Sequence, residues 1–214
     1  MLGELEGLTE SDSEEHDKGT SSYLLYKTES GIFPFVKYEE QLAEMNDYCV
    51  YLLTCLENKL QEFEPVCFDQ DDGDGPISWA QRKHLSWRFL YEDINKCTML
   101  LLLLAFFEST LSEIAHWFSE ITHQTARLKK IRNPKVSDYL TEIGACCEVN
   151  LNQALTEELS FYDEIRKIRN DFVHHEWDQL TDRYEKFHLA DVIHMISQVL
   201  WQIEQSALSS QLLE

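Results

Sequence analysis

The chain has 214 residues, with 18 Lys and Arg against 39 Asp and Glu, and a formal charge of −21. That length suffices for one domain with its own core, whereas the charge excludes general coating of nucleic acid, because most of this surface repels a phosphate backbone. Only 7 Gly and 4 Pro interrupt the chain and strand-like alternation is weak throughout, so the expected class is all-α.

Residues 1–22 are rich in Glu, Asp, Ser, Thr and Gly and have little to bury, which predicts a flexible acidic arm ahead of one helical domain over 23–214. The first residues are acidic where the n-region of a secretory signal is basic, so a cytoplasmic, reducing compartment is expected. The 6 Cys show neither C-x-x-C nor ligand-like spacing to His. Inert thiols, no bound metal and no cofactor are the expectation. Tyr23 to Phe35 is irregular but apolar and is expected to lie against the helical body.

From Tyr38 to about Phe63, Leu42, Met45, Cys49, Leu52, Leu53, Leu56 and Leu60 recur at helical steps, with Pro65 expected to end the helix. The acidic run Asp69 to Pro76 fails the calcium-loop template, since Gly73 stands where an oxygen ligand is wanted and Asp74 where the turn glycine is needed. It predicts a solvated loop. Ser78 then caps a helix over Trp79 to about Asn95 that buries Leu85, Phe89, Leu90 and Ile94. Cys97 to Phe118 follows, with an unbroken spine from Trp79 as the alternative. Its run Met99 to Phe107 is apolar on every side, too short to span a bilayer, and predicts a central buried helix. Glu108 falls in the middle of the stripe Leu104, Leu111, Ala115, Phe118.

Arg127, Lys129, Lys130, Arg132 and Lys135 then concentrate basic charge against the sign of their surroundings. Ser137-Asp138 caps a helix to about Glu148, and Thr156, with Glu157 and Glu158 in its first turn, opens the next. A last helix is expected from about Arg183 to Leu208, and antiparallel packing of these elements gives an up-down bundle.

The stretch Ser160 to Trp177 organises the rest. On a helix, Phe161, Ile165, Ile168 and Phe172 share one face, and Arg169 projects only about 40° from Ile165, inside that apolar arc. A guanidinium there is costly to desolvate and needs a partner. A lone buried Glu108 would rather be protonated than charged. Pairing the two in a bidentate bond meets both needs; the alternatives are that each finds a different partner, or that Glu108 reaches only a backbone group. Arg166, Asn170 and His174 take the neighbouring polar face. Arg166, Lys167 and Arg169 form the second concentration of basic residues, and if both concentrations border one groove, RNA belongs in it.

Arg169-Asn170-Asp171-Phe172-Val173-His174 resembles the R-N-x-x-x-H signature of ribonuclease-type HEPN domains, the likeness covering roughly Trp79 to Leu208. The resemblance implies a metal-independent endoribonuclease of the toxin or antiviral-defence class, with Arg169 and His174 as the catalytic pair and a cyclic phosphate left on the product. It also implies an acidic or polar residue facing the motif, the role open to Glu108. Chemically, an imidazole suits proton transfer at the 2′-hydroxyl or the leaving oxygen, a permanently charged fork suits the phosphate, and Asn170 would fix the imidazole or bond a phosphate oxygen. Arg166, Lys167, His175, Arg127 and Lys130 are the candidate substrate contacts. His175 is a rival to His174 as the catalytic base. Glu176 stands where the R-x-x-x-x-H-x-Y form of the motif has tyrosine, which puts control by nucleotidylation of that residue in doubt.

Arg169 and His174 point about 140° apart on an ideal helix. Either the helix ends near Val173 and His174 swings back, or two subunits complete the site; the family resembles the second case. The expected partners are therefore an RNA substrate, a second copy of the chain in a homodimer, and an inhibitory or activating protein, with no membrane. A non-catalytic module binding protein or RNA is the other reading, favoured by the charge.

Overall fold

The computed structural model describes residues 25–68, 79–89, 94–123, 128, 131–174 and 187–213, the segments 63–68, 80 and 89 by backbone alone. The expected acidic arm, the loop Asp69 to Pro76 and the cap Ser78 lie outside them. Among the described residues the structure is all-α: seven helices and no strand, namely α1 Phe35–Phe68, α2 Trp79–Phe89, α3 Lys96–Ile121, α4 Val136–Cys146, α5 Leu151–Ala154, α6 Thr156–Val173 and α7 Leu189–Ser209.

α3 is central, packing on α1, α4, α6 and α7. Its buried stripe Leu100, Leu103, Leu104, Phe107, Leu111, Ile114 and Phe118 follows the three- and four-residue steps of a helix face. Its helix is long and apolar enough to cross a membrane by length and composition alone, and half of that window is buried inside the bundle. Core packing accounts for the composition. The expectation of burial on every side needs correction: Leu102 is 47% exposed and Ala105 is exposed too, because no described helix covers that side.

α7 is the second core helix, with Val192, Ile196, Val199, Leu200 and Ile203 fully buried. It starts at Leu189 with His188 as its cap, and Phe187, expected within the helix, is buried just ahead of it. Residues 175–186 lie outside the described set. α1 starts at Phe35, earlier than expected, and runs through Pro65 to Phe68. Proline costs the helix the bond its N–H would donate, but here only in the last turn. α2 packs chiefly along α1, so Leu85, expected in the core, is 54% exposed while Trp87 turns inward. α2 is described to Phe89 and α3 from Lys96, and residues 90–93, on which the expected single spine depends, lie outside the described set.

The segment from Leu25 to Pro34 lies against the body, as its apolar content predicts. Its anchor is Glu204, a fully buried carboxylate on α7. Glu204 accepts from Tyr26 Oη at 2.7 Å, Thr28 Oγ1 at 2.6 Å, the Ser30 amide at 2.9 Å, the Glu29 amide at 3.2 Å, and Ser30 Oγ. Burial pushes its pKa up, but the bonds from Ser30, Thr28 and Tyr26 outweigh that and leave it below the ordinary carboxylate value. Burial, aided by the bond to this anion, pushes the Tyr26 phenol up. Phe35 continues the anchoring, its ring edge-on to Tyr26, Tyr38, Trp117 and Phe118 at 6.1 to 6.5 Å between centroids.

Candidate functional site

α6 runs from Thr156 to Val173, with Glu157 and Glu158 in its first turn as the sequence predicts. Ile165 and Ile168 are buried, which fixes the rotation of the helix and sends Arg169 toward α3. There it meets Glu108: Arg169 Nη1 lies 3.3 Å from Glu108 Oε1. The two sequence anomalies are therefore partners. The bond is one Nη1–Oε1 contact, a correction to the bidentate fork expected. Its geometry follows from competition, since Tyr162 Oη donates to the same Oε1 at 2.8 Å, while Arg169 Nε donates to Asn170 Oδ1 at 3.1 Å.

Glu108 was expected deep in a buried stripe. Its neighbours Leu104, Leu111, Ala115 and Phe118 are indeed fully buried, but its side chain is 36% exposed and that of Arg169 21%. The pair sits at the edge of the core, within reach of a ligand.

Tyr162 is the residue that sequence reasoning missed. Its ring is buried against Phe107, with centroids 5.7 Å apart. Burial, with the bond to Glu108, pushes the phenol well above its ordinary value, although Arg166 and Arg169 pull it down. It stays a proton donor to Glu108. A signal existed: Tyr162 lies two turns before Arg169, within about 20° of it around the helix.

A cleft of about 520 Å³ opens beside the pair, between α6 and the start of α4, with Arg166, Arg169, Lys135 and Tyr139 in its walls. The two basic concentrations meet at this groove in part: Lys135 of the first and Arg166 and Arg169 of the second line it, whereas Arg132 is described and does not. Arg166 approaches Asp163 at 3.5 Å. Lys167 is exposed on α6 away from the cleft lining. Arg127, Lys130 and His175 lie outside the described residues, so the choice between His174 and His175 stays open. α4 begins at Val136 with Lys135 as its cap, where Ser137-Asp138 was expected. Asp138 serves from inside the first turn, accepting the Lys135 amide at 2.7 Å.

His174 ends α6. Its amide still donates to the Asn170 carbonyl at 2.9 Å, and its side chain is exposed. That bond keeps His174 in helical register, so it does not swing back toward Arg169. Asn170, expected to fix the imidazole, has its amide oxygen engaged by Arg169.

Among the described residues no group of three or more His, Cys, Asp and Glu is placed to hold a metal ion. Of the five described cysteines, Cys49, Cys97, Cys146 and Cys147 are buried and Cys55 is exposed. Burial pushes the Cys49 thiol up to about 11 and that of Cys147 up to about 12, so neither supplies a thiolate nucleophile at neutral pH. No family model, no curated protein and no solved structure matches the chain.

Proposed function

We propose that the chain is a HEPN-like, metal-independent endoribonuclease of the toxin or antiviral-defence class, working as a homodimer. The observation that carries this reading is the placement of Arg169: a guanidinium oriented by Glu108 at 3.3 Å, at the wall of a cleft that also carries Arg166 and Lys135. A preorganised cation at such a wall is what a charge developing on phosphate requires.

In the reaction, the 2′-oxygen forms a bond to phosphorus as the bond to the 5′-oxygen breaks, leaving a 2′,3′-cyclic phosphate and a 5′-hydroxyl. The imidazole of His174 takes the 2′-hydroxyl proton or supplies one to the leaving oxygen, while Arg169 holds the phosphoryl charge. Because His174 diverges from Arg169 on α6, each Arg169 works with the partner copy's histidine. An exposed apolar edge supports that dimer: Val173, one turn beyond Arg169, is 49% exposed, and Ala105, one turn before Glu108, is also exposed.

The second reading, a non-catalytic module binding protein or RNA, gains from two observations. The chain carries a charge of −21, and Asn170 is bonded to Arg169 where an imidazole-orienting role was expected. Cleavage of labelled total RNA and tRNA in EDTA, by the unaltered protein and by His174→Ala, separates the two. Cleavage by the unaltered protein alone is expected; no cleavage by either, with dimers confirmed, sinks the ribonuclease.

A further inference from the structure

The cleft beside Arg169 holds a donor that its one ion-pair partner leaves without a hydrogen bond. Arg166 Nε is buried without a hydrogen-bond partner, and its nearest carboxylate, Asp163, stands at 3.5 Å with a side chain 62% exposed. An unmet guanidinium N–H in a cleft wall costs free energy unless a ligand accepts from it. The charged lining is Lys135, Arg166 and Arg169 against Glu108 and Asp163, a local cationic excess in a chain of −21. The α4 N-terminus adds little, because Asp138 already takes the Lys135 amide there. The rest of the wall joins an apolar and aromatic side, with Pro134, Leu159 and the half-buried Tyr139, to the polar Asn133 and Ser137.

A bare phosphate uses neither that apolar wall nor the volume. At about 520 Å³ the cleft is of small-ligand size, far too small for a duplex. An unstacked nucleotide uses both halves, since single-stranded RNA is held by phosphate contacts together with stacking on aromatic rings. Arg166 and Arg169 are one turn apart, so a phosphate at each belongs to successive positions along one strand.

We propose that this cleft takes one unpaired nucleotide of a single-stranded RNA, its phosphate between Arg166 and Lys135 and its base on Tyr139, next to the phosphate that Arg169 contacts. This rests on the ribonuclease reading for the role of Arg169, but it is tested by binding alone. The probe is a fluorescent single-stranded oligonucleotide, 2′-O-methylated throughout so that no 2′-hydroxyl is left to attack, titrated with the full chain over a salt series. Arg166→Gln and Lys135→Gln are each expected to lower the slope of log affinity against log salt by about 0.7, one single-strand phosphate. Arg166→Lys restores the slope. Lys59→Gln, removing an exposed lysine that pairs with Glu62 on α1, leaves it unchanged. Tyr139→Leu weakens binding about tenfold at unaltered slope, and Tyr139→Phe does not weaken it. The same sequence as a duplex binds more weakly. Equal slope losses for Lys59→Gln and Arg166→Gln, duplex binding as tight as single-strand binding, or no binding by the unaltered chain would each overturn the proposal. Binding with these signatures by a protein that cleaves nothing leaves the nucleotide cleft standing and removes the ribonuclease; cleavage without them does the reverse.

Discussion

Replacing Glu108 by Gln removes one charge and leaves an amide oxygen where Tyr162 and Arg169 now donate. The stability cost follows from where the pair sits. Breaking a fully buried ion pair costs about 3–5 kcal/mol, whereas an exposed one contributes about 0–1 kcal/mol. This contact is 3.3 Å long, with side chains 21% and 36% exposed, so water screens it and the lower range applies. About 1 kcal/mol is expected, a fall in melting temperature of roughly 3 °C for a chain of this size. Activity should respond far more strongly, because a guanidinium displaced by about 1 Å from a reacting phosphate can lose about 100-fold in rate. Thermal unfolding followed by circular dichroism, beside single-turnover cleavage of labelled tRNA, gives both numbers. A melting temperature lowered by more than about 10 °C at undiminished cleavage would make Glu108 a packing residue and refute the reasoning.

Tyr162→Phe removes the second donor to Glu108 Oε1 without altering the ring contact with Phe107. Cleavage should drop about tenfold with under 1 kcal/mol lost, and an unchanged rate in the same assay would show that the hydroxyl does not position the pair. Glu204→Gln sets an amide N–H₂ against donors from the 26–30 segment and should cost about 3 kcal/mol in urea unfolding at neutral pH. Because the Glu204 pKa is lowered in the fold, its contribution is fully present above its ordinary 4.5 and is lost as pH falls through the lower folded value. The gap between the unaltered chain and Glu204→Gln should therefore narrow only below about pH 4.5; a gap that narrows already between pH 8 and 6 would contradict this. Gly144→Ala places a Cβ 2.5 Å from the Val149 carbonyl oxygen. The oxygen is backbone and the Cβ is fixed directly to the Cα, so neither can rotate away; a loss of about 2 kcal/mol or more is expected, and an unchanged melting temperature would refute it.

Helix periodicity and the cost of burying charge made much of this protein legible before any coordinates. Leu100, Leu104, Leu111 and Phe118 recur at helical spacing and are buried. Arg169 and Glu108 each stood out as charged groups on apolar stripes, and an unpaired charge at such a place is so costly that the two could be matched at a separation of 61 positions. Local pattern says which face of a helix turns inward, but not which helix lies opposite. The tertiary structure alone therefore exposes Leu102 and Leu85, which no described helix covers. It also brings Tyr162 to the oxygen that Arg169 uses and sets Lys135 and Tyr139 across a cleft from Arg166. Glu204 makes the same point, for on α7 it reads as one more acidic residue in an acidic chain. Only the segment folded over it, bringing donors from some 170 residues away in the sequence, turns it into the buried anchor of the N-terminal segment, because a hydrogen bond depends on distance in space and the sequence records distance only along the chain.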